Sequence, residues 1–204
     1  MYKFEVTNLS KRYGRLKLFD NISFSLSTGD SMAITGPNGS GKSTMAKIFL
    51  KTVIPNKGKM NFSHNDKELD TDVQRILTAF VSPYLNYYAP LTAEENILFF
   101  ASISGINITG KEINVLLEKV GLEGRGMDTL STYSSGMLQR LKYIIALIKK
   151  PALMIIDEPT ANLDESGKII VRNIIEELRG KCILIIATNE KEEYNLAGRE
   201  LSLA

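Results

Sequence analysis

The chain has 204 residues, 44% hydrophobic and 24% charged, which suggests one domain, or one domain with a sub-domain, and is ample for a core. Lys and Arg number 25 against 23 Asp and Glu, and this net charge of +2 argues against an extended nucleic-acid or anionic-lipid surface. The single cysteine, Cys182, excludes a disulfide framework within the chain and fits a reducing cytosol.

The N-terminal run Met1-Tyr2-Lys3-Phe4-Glu5-Val6 does not read as a signal peptide. The apolar runs are far shorter than the roughly 20 residues of a spanning helix. A role at a membrane would therefore need another chain to hold this one there. Phe4-Glu5-Val6 and Ile22 to Leu26 alternate with period two and predict strands. Thr28-Gly29-Asp30 predicts a turn, and Ser31 to Thr35 a short buried strand.

Directly after that strand comes Gly36-Pro37-Asn38-Gly39-Ser40-Gly41-Lys42-Ser43-Thr44, which fits G-x-x-x-x-G-K-[ST]. Such a loop folds back so that several backbone N–H groups point at one anion, and glycines keep side chains out of the way. In this pattern Lys42 reaches the β- and γ-phosphates of a nucleoside triphosphate, and the Ser43 hydroxyl can ligate Mg²⁺. A helix is predicted from Ser43 to Val53, aiming its N-terminus at the phosphates. Further on, Ser63-His64-Asn65-Asp66 reads as a polar turn, with His64, the only histidine, as a solvated loop residue.

The middle third reads as helical. Thr92-Ala93-Glu94-Glu95 and Thr109-Gly110-Lys111-Glu112 both have capping-box spacing. The second helix carries Ile113, Leu116, Leu117 and Val120 on one face, and Gly121 closes it. Ser134 is a good N-cap for a helix predicted to reach Lys149 and to stop before Pro151. The last third alternates strand and helix: Leu153 to Ile156, a helix capped by Asp164 and running to about Leu178, then Cys182 to Ala187. Buried strands separated by helices imply a parallel sheet with right-handed crossovers, into which the helical middle is inserted.

Leu153-Met154-Ile155-Ile156-Asp157-Glu158 ends four apolar residues in two carboxylates. In a phosphate-loop protein the first, Asp157, sits beside Mg²⁺, and the second, Glu158, is placed to polarise a water for in-line attack.

Tyr133-Ser134-Ser135-Gly136-Met137, followed by Gln139 and Arg140, resembles the signature motif of ABC-type ATPases. Ala161-Asn162-Leu163-Asp164 resembles the D-loop of that family, and Tyr13 matches the aromatic that stacks on adenine. The resemblance covers essentially the whole chain. It implies an α/β fold: a P-loop NTPase core of ABC ATPase type, with an N-terminal antiparallel β subdomain and an inserted α-helical subdomain. Residues 1–204 would form one nucleotide-binding domain, with 1–83 and 151–204 as core and 84–150 as the helical part. ATP and Mg²⁺ would be the cofactors. Tyr13 and Gly36, Pro37, Asn38, Gly39, Ser40, Gly41, Lys42, Ser43 and Thr44 would hold the nucleotide. Ser43 and Asp157 would hold the metal. Glu158, Lys42 and Asn189 would serve hydrolysis. Ser134, Ser135, Gly136 and Met137 would grip the γ-phosphate of ATP bound by a second protomer, with Asp164 in the D-loop. The partners implied are a second copy or a paired ABC ATPase, and a separate transmembrane permease that holds the chain on the cytoplasmic face. No nucleic acid is expected.

Two positions depart from the family. Its usual glutamine after the strand Thr78 to Ser82 is replaced by Pro83, or by Tyr84 if the register slips by one. Its usual Thr-His-Asp after the last buried strand reads Thr188-Asn189-Glu190. Proline offers no side-chain donor or acceptor, and asparagine carries no charge. Slow hydrolysis by the chain alone is the expectation. The leading functional reading is the ATPase of an ABC transporter, of the haem-export/cytochrome c maturation branch or of a small exporter. The alternatives are a soluble ABC ATPase acting on ribosomes or DNA, and a nucleotide-binding switch module. The aromatics around Tyr87-Tyr88 either face the permease or pack the helical insertion.

Overall fold

The computed structural model describes residues 1–203. Two long strands, β1 (Tyr2–Tyr13) and β2 (Leu16–Ser27), pair antiparallel around a tight turn at Gly14, whose φ of 55° suits glycine. These strands are longer than the period-two pattern predicts. Register shifts after Val6 break the alternation, with Asn8 left-handed, so the pattern fades while pairing continues. β4 (Lys57–His64) and β5 (Lys67–Glu68) complete a sheet ordered β2-β1-β4-β5. His64 is the last residue of β4, not a loop residue, and its ring stacks on Tyr2 at 4.4 Å. The turn itself is Asn65-Asp66, both at positive φ, as a type I′ hairpin requires.

The second sheet is parallel and ordered β6-β7-β8-β3-β9. Its strands are β3 (Ser31–Thr35), β6 (Thr78–Val81), β7 (Leu153–Asp157), β8 (Ile183–Ala187) and β9 (Arg199–Ser202). Every residue of β3, β7 and β8 is buried. Their unbroken apolar runs follow from having both faces covered. Leu153 and Ile155 of β7 join a core with Phe4, Phe49 and Phe62, while Met154 and Ile156 join a second core on the opposite face.

Helix α1 (Lys42–Phe49) lies in the first core and ends four residues before the predicted limit of Val53, because Lys51 turns left-handed at φ 57°. Helix α2 (Thr71–Leu77) leads into β6. Three helices, α3 (Ala93–Ile103), α4 (Gly110–Lys119) and α5 (Ser135–Ile148), fall between β6 and β7 and pack in the second core. Thr92 and Thr109 form the expected capping boxes. Asp164 caps α6 (Glu165–Leu178), accepting from Gly167 N–H at 2.9 Å, and α7 (Lys191–Tyr194) precedes β9. No described helix is long and apolar enough to cross a membrane.

Candidate functional site

β3 delivers the chain into the Gly36–Thr44 loop, and α1 begins at Lys42. Gly36 has φ 145°, and a Cβ there would sit 2.3 Å from the carbonyl oxygen of Leu203, so this close approach requires glycine. Gly41, at φ 102°, is the N-cap of α1 and offers no side chain to the free N–H groups of the first turn. Lys42 is buried, and its Nζ donates to the carbonyls of Gly36 at 2.8 Å and Pro37 at 3.1 Å. The ammonium is thus folded back over the loop it would serve. Ser40 Oγ is buried without a partner.

Asp157 closes β7 at 2% exposure, and its Oδ1 has no partner. Burial raises its pKa; the nearby Ser43 hydroxyl opposes this, Glu158 adds to it and Lys42 again opposes it. The structure therefore brings Lys42, Ser43 and Asp157 together, as the sequence pattern predicts. The donor set suits Mg²⁺: one hydroxyl and one orphaned carboxylate oxygen are hard ligands, and Mg²⁺ takes its remaining positions from phosphates and water.

Glu158 follows with a left-handed φ of 50°, its N–H bound to Ala187 O at 2.8 Å. That turn directs the chain out of the sheet between β7 and β8. Glu158 lines a cleft of about 460 Å³ together with Asn38 of the phosphate loop, Asn162, Thr188 and Asn189. Asn189 Nδ2 donates to Asn38 Oδ1 at 3.3 Å, so the residue in place of the usual histidine touches the phosphate loop. This contact joins residues 151 apart in sequence, beyond the reach of local patterns.

Sequence reasoning missed Glu193. Its carboxylate is 2% exposed and accepts from Thr160 N–H at 3.1 Å and from the hydroxyls of Thr160 and Thr188. Tyr143, fully buried in α5, donates to Pro159 O at 2.9 Å. Together these bonds lock the 158–160 turn against α5 and α7. Thr160 and Thr188 each follow a buried strand, which is the one local hint of a shared partner.

The signature residues sit at the N-terminus of α5. Ser134 Oγ accepts from Met137 N–H at 3.2 Å, and Ser134 and Ser135 are exposed. A Cβ on Gly136 would lie 3.1 Å from Asn162 O, which places the signature turn against the Ala161–Asp164 segment. The helix ends at Ile148 rather than Lys149, where the chain turns through a left-handed Lys150. The β1–β2 hairpin flanks the phosphate loop, since a Cβ on Gly41 would meet Leu18 Cβ at 3.0 Å. Tyr13 stands in that hairpin at 52% exposure, with Lys11 Nζ 4.6 Å from its ring centre. It does not line the cleft that holds Glu158. The aromatics before α3 divide: Tyr87 packs edge-on against Phe100 in the core, whereas Tyr84 and Tyr88 are exposed.

A phosphate loop between a buried strand and a helix, on a parallel sheet that also ends in Asp157-Glu158, defines the P-loop class of fold. The ABC transporter family profile matches residues 19–161, and the chain belongs to that family. It is 31% identical to the linearmycin resistance ATP-binding protein LnrL of Bacillus subtilis (strain 168), over 93% of this chain and 61% of LnrL. It is 36% identical to the bacitracin transport ATP-binding protein BcrA of Bacillus licheniformis, over 85% of this chain and 56% of BcrA. The chain thus spans about three fifths of the length of these curated relatives. A solved structure described as the ATP binding subunit of an ABC transporter superposes with a TM-score of 0.84 at 26% identity, covering 98% of this chain and 85% of that one.

Proposed function

We propose that this chain is the ATP-binding and ATP-hydrolysing subunit of an ABC transporter. One observation carries the reading: the buried, unpartnered Asp157 oxygen lies with Ser43 and Lys42 at the mouth of a glycine-built phosphate loop. Lys42 would exchange its two loop carbonyls for phosphate oxygens. Ser43 and Asp157 would hold Mg²⁺, which supplies charge neutralisation at the phosphates. Glu158 would accept a proton from the attacking water. Tyr13, on the hairpin beside the loop, would stack on adenine. Ser134 to Met137 would close on ATP held by a second protomer, in a head-to-tail dimer, with Asp164 behind them.

The helices between residues 84 and 150 would face a separate membrane-spanning subunit, which would hold the complex on the cytoplasmic face. One relative is named for linearmycin resistance and another for bacitracin transport, and both names describe an ATP-binding protein, which supports the nucleotide reading.

Hydrolysis by the chain alone would be slow. Pro83 supplies no side-chain contact, and Asn189 supplies a neutral amide already bound to Asn38. One missing polar contact to a transition state costs about 2.7–4 kcal/mol, a factor of about 10²–10³ in rate. Asn189→His is therefore expected to raise turnover by up to that factor. Wild-type turnover of tens per second, unchanged by the histidine, would refute the slow-hydrolysis assignment.

The principal test is size-exclusion chromatography of Glu158→Gln. The expected result is a monomer without nucleotide and a dimer in millimolar MgATP. A protein that binds MgATP and stays monomeric argues against the shared site.

A further inference from the structure

Lys11 and Tyr13 stand two residues apart on β1, so their side chains leave the same face of the strand. The Lys11 Nζ lies 4.6 Å from the centre of the Tyr13 ring, within reach of a cation–π contact. Lys11 is 9% exposed, and its Nζ also donates to Ile54 O at 2.8 Å. Among the described residues no ion pair includes Lys11. Asp20, which lines the same hollow, accepts from the Ser10 hydroxyl at 2.6 Å and reaches Lys17 at 3.9 Å. The ammonium is thus held by one carbonyl and one ring rather than by a carboxylate. Two further bonds fix this junction: Asn56 N–H donates to Ser10 O at 2.9 Å, and Arg12 N–H donates to Asn56 Oδ1 at 2.8 Å. Together they tie the end of β1 to the chain that leaves α1, the helix of the phosphate loop.

We infer that Lys11 is a positioning residue for the base: its ammonium fixes the Tyr13 ring from one face and polarises it, so that adenine stacks on the other. The inference rests on the reading of Tyr13 as the adenine platform. Tyr13 is 52% exposed, and a half-exposed tyrosine at the end of a hairpin has several rotamers open to it. The cation removes that freedom before the nucleotide arrives, so less ordering is left for the binding step. It also draws the π density of the ring toward itself, which lessens repulsion with the electron-rich purine on the far face. The bond to Ile54 sets where this happens. The chain leaving α1 holds the ammonium, and Leu18 of the same hairpin abuts Gly41 at the start of α1. The ring therefore keeps a fixed place relative to the phosphate loop.

Isothermal calorimetry of the full chain with two ligands tests this. MgADP carries the base and cannot be consumed at a γ-phosphate, while magnesium pyrophosphate carries the phosphates without the base. Lys11→Met should weaken ADP about three- to tenfold and leave pyrophosphate unchanged. Lys11→Gln keeps a donor for Ile54 O but no charge, and should lose as much as Lys11→Met. Lys11→Arg keeps the cation and should bind ADP close to the wild type. In a Tyr13→Ala background, Lys11→Met should have no further effect.

Unchanged ADP affinity in Lys11→Met overturns the inference. Equal losses for ADP and pyrophosphate overturn it too, because Lys11 would then serve the shape of the loop or attract phosphate directly. So does a Lys11→Gln protein with wild-type ADP affinity, since the bond to Ile54 would then suffice, or a full further loss from Lys11→Met when Tyr13 is already alanine. A different pattern sinks the underlying reading instead: if Tyr13→Ala binds ADP as tightly as the wild type, Tyr13 is not the adenine platform.

Discussion

Two helix N-termini in this chain belong to the nucleotide motifs, and they are built in opposite ways. Helix α1 starts at Gly41, with no side-chain cap, behind a loop braced by Lys42. Helix α5 starts at Ser134, whose hydroxyl already occupies the N–H of Met137. An uncapped first turn leaves its N–H groups and its share of the dipole for an outside anion, whereas a capped one is partly satisfied from within. The phosphate-loop end would therefore serve as a site within a single chain. The signature end is stable on its own and free to meet a ligand brought to it.

That contrast is open to experiment, and the largest effect is expected at the α1 end. Gly36→Ala forces a Cβ to 2.3 Å from Leu203 O at a φ of 145°. Strain of this kind costs about 1–3 kcal/mol before any overlap is counted, and each kcal/mol lowers the melting temperature by about 2–4 °C in a chain of this size. A drop of about 5–10 °C, with loss of nucleotide binding, is the expected result of thermal melting with and without MgATP. Unchanged melting and binding would show that the loop is not pinned.

Next in size is a paired comparison. Lys42→Ala should weaken ATP binding by the monomer by about 1.5–3 kcal/mol, or roughly ten- to a hundredfold, by isothermal calorimetry. Ser134→Ala should leave that affinity unchanged while removing a cap worth about 1 kcal/mol of stability and reducing ATP-dependent dimer formation. If Ser134→Ala weakens binding by the monomer as much as Lys42→Ala does, the two ends do not divide the work.

The smallest effect concerns Asp157. Burial holds its carboxyl above the ordinary 3.8, so in the acid range the folded chain keeps a proton that the unfolded chain releases. That stability is present at low pH and is lost as pH rises through the folded value. Asp157→Asn should therefore raise the apo melting temperature at neutral pH by about 2–4 °C, for about 1 kcal/mol of relieved burial. The gap in melting temperature should close as pH falls into the acid range. A gap that widens there would contradict the assigned cause.

Much of this was legible in the sequence, wherever the cause is local. The phosphate loop, the Asp157-Glu158 strand end and the caps at Thr92, Thr109, Ser134 and Asp164 each depend on residues a few positions apart. What escaped depends on long-range contact. Nothing near Glu193 announces that two threonines from different strand ends will share its carboxylate. Lys142 lies in an ordinary helical pattern, and only the return of the chain at Pro83 makes its burial visible. A polar Ser-His-Asn-Asp string reads as one turn, while pairing with Lys67 keeps His64 in the strand.

Gly36 rests against Leu203, and Thr35 bonds both Leu203 N–H and the side chain of Glu200. Consider this in the order of synthesis. A ribosome that has made everything through β8 has made the glycines, the lysine and both carboxylates, but not the wall that supports the first glycine. The nascent chain carries the complete motif and an unfinished pocket until residues 199–203 emerge. The shape of the phosphate loop thus depends on a wall supplied by the far end of the chain, which is in place only when β9 is paired with β3.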